Sequence, residues 1–423
     1  MAVSTGDPAG YLHLTGDEPM LRVQKQKAVH SARWALGCFA SVAAAFTVGR
    51  QTAPSVNIGA PVQMPADGPW SPWVPQLFQP LLQPAYTNEP LAKSAVRRFD
   101  MYLMTQAAFA TPAVKTMNVE QWLAPDFLYE TVGFATSRTP RGWCESGEED
   151  QFRRTFNESM FSQMLFLGTD DMASTTSYGS VFWGNDLLGV PAPNNWVYFR
   201  VADFYAARKI SPVAAQLYYN FMIIDFADLF RRVGRPVLPP AALPEGLVLT
   251  AAANDGVPAP LSVVAKAQDA ATALKVAKAA LHDDWIGSGA GAGTRQWRSH
   301  WHSNLTFYGP GGIGRAHGTE QYRQHVVEPF RAAFDDRSLD TKIFGCEGNY
   351  CGAFGELSGR HVGPWLGLEA SGKILAIRFA IQWRVVDGLV QEGWALFDIP
   401  AVFKQLDLDF FAMAAAARPQ IHS

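Results

Sequence analysis

The feature that most constrains this chain is a pattern that occurs twice. Gly189–Arg200 lines up without gaps on Gly367–Arg378. Further on, Phe221–Phe230 lines up on Trp394–Phe403. The first block of each copy reads as a turn and then a strand of aromatic and β-branched residues. The second reads as a strand ending in an Asp (Asp225, Asp398) that caps a short helix. A five-residue insertion in the first copy's hairpin, between Tyr205 and Asn220, shifts the second block relative to the first. In each copy helical patterns come first, followed by long strands joined by Gly turns. That order predicts an α+β fold, with helices on one face of a curved antiparallel sheet. The aromatic strands would leave large exposed apolar faces on isolated units, so the two units are expected to pack as a pseudo-dimer.

The expected boundaries follow the composition. Residues 1–90 form an N-terminal extension ending in a Pro-rich arm with Trp70, Trp73 and Phe78. The first unit is 91–235, a Pro/Ala-rich linker is 236–261, the second unit is 262–412, and 413–423 is a tail. The second unit opens on Ser262–Trp285, whose Val264, Ala267, Ala271, Leu274, Ala277 and Leu281 sit at helical spacing. A hydrophobic fraction of 48% excludes a wholly disordered chain. A net charge of −3 argues against a nucleic-acid partner.

No stretch reaches the ~20 apolar residues of an integral membrane span. The nearest, Trp34–Gly49, follows Arg22, Lys25, Lys27 and Arg33 and contains Ala43-Ala44-Ala45. Read from Met20 it has the order of a secretory signal, but its Ala, Gly and Ser make it weakly hydrophobic. A cytoplasmic location is therefore favoured, with export open if residues 20–45 act as a signal. Cys346 and Cys351 flank a hairpin turn at Gly348-Asn349. The register sets them opposite each other, so a disulfide is geometrically open in an exported chain. Two buried free thiols are the favoured reading.

The second unit carries an ordered series of motifs. Tyr308-Gly309-Pro310-Gly311-Gly312-Ile313-Gly314-Arg315-Ala316-His317-Gly318 is followed by a helix ending in Glu328–Asp336. Then come Leu357-Ser358-Gly359, Arg360–Gly363, Leu366-Gly367, Ser371-Gly372-Lys373, Val386–Trp394, Asp398 and Gln405-Leu406. The series resembles the SnoaL-like polyketide cyclase, or ester cyclase, family, with its cone-shaped nuclear-transport-factor-2-like fold. The resemblance covers about 270–410. The first unit matches more weakly, keeping Gly189, Pro191-Ala192-Pro193, Arg200 and Asp225 but showing Tyr219 and Phe221 in place of Glu392 and Trp394.

The resemblance implies an acid–base catalyst that closes or isomerises an apolar, carbonyl-bearing small molecule, with no metal or other cofactor. A carboxylate in an apolar pocket has a raised pKa and removes a proton beside a carbonyl. The resemblance places that base at Asp398, with His361 donating to the enolate or orienting the base. Tyr308, Arg315, His317, Trp394 and Trp365 are the implied substrate-binding residues, and Asp225 is the first unit's counterpart of the base. Asp398 equally suits the N-cap of the turn beginning Ile399-Pro400.

His300-Trp301-His302 puts two imidazoles on one strand face but lacks a third ligand, so no metal site is expected. Gly287–Gly293 lacks the Lys-Ser/Thr of a phosphate loop and reads as a connection. Six of the nine histidines lie in the second unit or its leading helix, and 91–240 has none. A cavity in the first unit must rely on Asp225, Asn220, Tyr178, Tyr205 and Asp203. The second unit is therefore the expected catalytic one. The competing reading is a non-catalytic binding or scaffold protein whose Asp residues are caps. A homo-oligomer is open in either case.

Overall fold

The computed structural model describes residues 89–108, 117–246, 248–249, 267–287 and 300–417, all within the compact unit Pro69–Ser423. The signal-like segment, the Pro-rich arm, the first turn of the Ser262–Trp285 helix and most of Gly287–Gly293 lie outside the described residues.

The first cone runs α1 (Leu91–Ala108), β1 (Leu123–Thr131), α2 (Pro140–Ser146), α3 (Glu148–Thr155), β2 (Phe156–Gly168), β3 (Met172–Trp183), β4 (Asn195–Ser211), β5 (Ala214–Ile224) and α4 (Phe226–Arg232). The second runs α5 (Ala267–Trp285), β6 (Trp301–Tyr308), β7 (Arg315–His317), α6 (Gly318–Tyr322), a π-helical turn, α7 (Glu328–Ala333), β8 (Phe334–Glu347), β9 (Tyr350–His361), β10 (Ile374–Val386), β11 (Leu389–Phe397) and α8 (Ile399–Gln405). A last helix, α9 (Phe410–Ala416), follows. The sheets are ordered β1-β5-β4-β3-β2 and β7-β6-β11-β10-β9-β8. The chain is thus α+β with two curved sheets and helices in two units, as the repeat predicts.

One correction concerns strand sense. The sheets are mixed, because β1 pairs parallel with β5 and β6 parallel with β11. In each copy the first strand is separated from its partner by a long excursion, and such a crossover permits parallel pairing. Two-residue turns close the tight hairpins. At the β10–β11 turn, Asp387 and Gly388 both have positive φ, 51° and 76°, the backbone that matches strand twist. Bulges at Gln163/Leu165, Thr341/Ile343 and Arg384/Val385 bend the long strands into cones. α1 lies on β2–β5 and α5 on β8–β11.

The outer faces of the two sheets meet. Phe221 and Tyr219 of β5 stack on Phe354 of β9, with Phe221 and Phe354 centroids 4.0 Å apart. Gln382 donates to Ser174 at 2.8 Å and accepts from Thr176 across the same seam. One buried apolar core runs through both cones. The segment expected as a linker has no helix or strand from 236 to 246, yet it is docked. Leu238 and Leu243 are buried, and the Pro244 carbonyl accepts from Arg315 N at 2.8 Å.

A second correction concerns the cysteines. Cys346 and Cys351 are disulfide-bonded, not free thiols. The hairpin sets them directly opposite on β8 and β9, with Cα atoms 4.0 Å apart, close enough for a bridge with no movement of the strands. Cys144 is buried and free, its thiol pushed up to about 11 by burial.

Candidate functional site

Asp398 begins with the strand that delivers it. β11 ends at Phe397, and Asp398 caps α8, its Oδ1 accepting from Ala401 N at 3.0 Å. Pro400 occupies the early helical position the sequence suggests. The other oxygen accepts from Arg378 Nε at 2.9 Å and from its Nη2 at 2.5 Å. The carboxyl has no exposed surface, and burial raises its pKa while the Arg378 charge pulls it down.

Arg378 faces the seam. Its guanidinium lies 4.8 Å from the Phe221 ring centre and 3.9 Å from Glu130 of the first cone. Between the cones there is an open cleft of about 760 Å³, lined by Glu130, Tyr219, Lys342, Phe354, Arg378, Ala401 and Lys404 among others. Asp398 does not line it but stands one layer behind, holding two residues that do.

The remaining expected site residues scatter. His361 is fully buried against Phe334, with ring centres 5.2 Å apart. Its Nδ1 lies 3.2 Å from Ser371 Oγ, and among the described residues its Nε2 has no hydrogen-bond partner. Burial lowers its pKa, so the ring is held neutral. Trp365 belongs to the same aromatic packing, against Phe330 and Phe334. Tyr308 stacks on Trp394 at 5.7 Å, and Trp394 Nε1 donates to the Leu249 carbonyl at 2.8 Å. Arg315 is half-buried; His317 is exposed, 3.3 Å from Thr306 Oγ1. Among the described residues no contact links Asp398 with His361 or Tyr308.

Asp225 repeats Asp398's part at the other side of the seam. It caps α4 through Asp228 N at 3.2 Å and faces Arg200 Nη2 at 3.6 Å. Both of its oxygens also accept from Gly311 N at 3.1 Å. Burial and the neighbouring Asp228 charge push it up to about 6. Arg200 in turn donates to the carbonyls of Tyr308, Gly309 and Ala395 at 2.8–3.1 Å. The Gly-rich loop expected at a cavity mouth is therefore clamped by the first cone. Gly311 is required there, since a Cβ would sit 2.5 Å from Asp228 N.

Buried carboxyls that sequence reading missed lie inside the cones. In the second, Asp284 of α5 accepts from Tyr322 OH at 2.8 Å and from Trp301 Nε1 at 3.1 Å. Burial pushes it to about 7, against these hydrogen bonds. In the first, Asp100 of α1 accepts from Gln163 at 2.6 Å, and Glu148 of α3 accepts from Trp143 Nε1 at 3.1 Å. Burial raises Asp100 well above the usual range and Glu148 to about 8. A lone Asp in the apolar run Phe99–Leu103 and the repeated Arg200/Arg378 were the available signals. Among the described residues no group of three or more His, Cys, Asp or Glu is arranged to hold a metal ion. No described helix is long and apolar enough to cross a membrane.

With this geometry in hand the comparisons divide the molecule. Residues 289–406 match the SnoaL-like polyketide cyclase family. The match runs from β6 to α8 and leaves α5 and the first cone outside it. A putative SnoaL-like polyketide cyclase from Jannaschia sp. CCS1 is 19% identical over 36% of this chain and 98% of its own, with TM-score 0.30. IdmH, a putative polyketide cyclase from Streptomyces antibioticus, is 18% identical over 32% of this chain and 99% of its own, with TM-score 0.28. AclR, a putative hydroxylase from Streptomyces galilaeus, is 17% identical over 32% and 85%, with TM-score 0.28. No curated protein matches the chain.

Proposed function

We propose that the protein is a cyclase- or isomerase-type acid–base catalyst acting on an apolar, carbonyl-bearing small molecule, with Asp398 as base. The observation that supports it is the pairing of a fully buried Asp398 with an Arg378 that lines the cleft between the cones. A substrate in that cleft meets Arg378 first, and Asp398, one layer behind, is reached when the Arg378 guanidinium turns from it toward the carbonyl oxygen. As Asp398 takes a proton from the carbon beside the carbonyl, it loses its charge and the enolate oxygen gains one. Arg378 can then exchange its carboxylate partner for the enolate, so no buried cation is left unpaired. In this reading His361 stays neutral behind the sheet and acts on packing.

A second reading has its own observation. The same Arg–Asp pair recurs at Arg200 and Asp225, where it clamps backbone in a sealed seam. If both pairs are clamps, the protein binds without reacting. Asp398→Asn separates the two. Asn caps about as well as Asp, so the fold is retained. Loss of turnover by ~10²-fold or more is expected for a positioned base, with Asp225→Asn nearly unchanged. Unaltered turnover in Asp398→Asn would leave the binding reading.

A further inference from the structure

Helices α4 and α8 stand at matched places, and their last turns meet different surroundings. Phe221–Phe230 lines up on Trp394–Phe403, so the next residue, Arg231, matches Lys404. Arg231 is spent. Its Nη2 donates to the Leu238 and Pro239 carbonyls at 2.8 and 2.9 Å, and its Nε lies 3.1 Å from Glu245. The docked segment 236–246 supplies all three partners. After α8 the chain turns into α9 instead. Lys404 is exposed, and its ammonium has no hydrogen-bond or ion-pair partner among the described residues. Two further exchanges leave space beside it. Ala376 matches Tyr198 and Ala401 matches Asp228. Both alanines line the cleft between the cones, as do Lys404 and Arg378.

The other charges that line this cleft have counterparts. Arg378 gives Nε and Nη2 to Asp398, and its Nη1 stays 3.9 Å from Glu130, beyond hydrogen-bond reach. Glu130 accepts from Tyr219 OH at 2.9 Å. Lys342 pairs with Asp340. Glu356 stands directly across from Arg378 in the β9–β10 register, where opposite charges stabilise neighbouring strands. Lys404 is left as a cation without an acid, and Arg378 Nη1 as a donor without an acceptor. Both are at a cleft whose lining also holds the Tyr219 and Phe354 rings.

We propose that the ligand of this cleft carries a carboxylate as well as its carbonyl, with Lys404 holding the carboxylate and Arg378 Nη1 facing the carbonyl oxygen. A lysine is a point charge on a flexible stem, suited to meeting an anion without a fixed fork of donors. One free cation matches one negative charge. A doubly charged group such as a phosphate would leave its second charge facing Glu130 and Glu356 with no further cation to meet it. The rings and the two alanines take the apolar body out of water. This deepens the reading above by naming the substrate class of its cleft, and it rests on that reading for the carbonyl.

The probe is 3-benzoylpropionate, an aryl ketone with a carboxylate, titrated into the full chain by calorimetry beside its uncharged methyl ester. One equivalent of the acid is expected to bind, more tightly than the ester and less tightly as salt is raised. Lys404→Met keeps the apolar stem and removes the charge. It is expected to weaken binding of the acid about fivefold, the scale of one partly exposed ion pair, and to leave the ester unchanged. Lys275→Met, at an exposed position of α5, is expected to change neither. Absence of saturable acid binding to protein that melts cooperatively, equal affinity for acid and ester, or acid binding that Lys404→Met leaves intact overturns the proposal. So does a Lys404→Met loss shared equally by acid and ester. The two claims fail separately. Equal binding of acid and ester with turnover lost in Asp398→Asn sinks the role of Lys404 and spares the base. Acid-selective binding that depends on Lys404, with turnover unaltered in Asp398→Asn, does the reverse.

Discussion

The two Arg–Asp pairs stand at matched positions of the two cones and meet different surroundings. Arg200 and Asp225 are sealed in the seam, and three backbone carbonyls of the second cone converge on Arg200. Arg378 and Asp398 make the same pair at an open cleft, where Arg378 has a neighbouring Glu130 and an aromatic face instead of carbonyls. The difference lies in what the opposite cone presents. Across from Arg200 comes the Gly-rich loop, whose glycines let backbone approach; across from Arg378 come Glu130 and Phe221, whose side chains keep backbone away. The pair stands at matched positions of both cones, and what the opposite cone presents distinguishes the clamp from the pair at the cleft.

The largest expected effect tests that difference directly. Arg200→Ala strands a buried Asp225 and three carbonyls, and should cost ~3–5 kcal/mol of stability. Arg378→Ala should cost only ~1–2 kcal/mol, because water from the cleft can reach the exposed side of the pair. Denaturant melts of the two variants give both numbers, and equal losses would erase the distinction.

Gly311→Ala probes the same clamp from the loop. The added Cβ meets Asp228 N and Ala227 C at 2.5 and 2.8 Å, both backbone, so ~2–3 kcal/mol should be lost. Gly372→Ala, with open space around its Cβ but φ of +68°, should cost about 1 kcal/mol. Thermal melts rank the two.

Buried carboxyls give both cone interiors the same sign of response to pH. Asp203, Asp100 and Glu148 have folded pKa values raised above their unfolded ones. Between about pH 4 and 8 the native state then holds more protons than the unfolded chain, so stability falls as pH rises through that window. Asp284 adds the same sign in the second cone. Asp203→Asn should flatten the decline in melting temperature between pH 5 and 8; an unchanged slope would show that Asp203 titrates normally.

The last comparison concerns the staple. Cys346 and Cys351 bridge β8 and β9, whereas the corresponding first-cone pair on β2 and β3 is Gly168 and Ala173. Replacing both cysteines by Ser should cost at most about 2 kcal/mol, because the hairpin turn already closes this short loop. Urea unfolding of oxidised protein and double variant measures it.

Much of this was legible in residues alone. The repeat, the Gly turns and the capping Asp residues are local features, set by backbone sterics within a few positions, and the folded chain keeps them. The hairpin register was legible too, but the bond between Cys346 and Cys351 was not favoured, because compartment and not spacing decides whether thiols pair. Side-chain destinations were the harder part. His361 and Trp365, read as site residues, are packed among rings contributed from distant segments, and Tyr308 was read at a mouth that is instead a seam. Asp100, Glu148 and Asp284 sit on helices, where an acid in the sequence looks like an ordinary solvated charge. Local pattern determined the two cones and their caps. Which face of each strand met the other cone, and which carboxyls were left unsatisfied inside, depended on long-range packing. Desolvation is set by everything around a group, and only the tertiary structure supplies those surroundings.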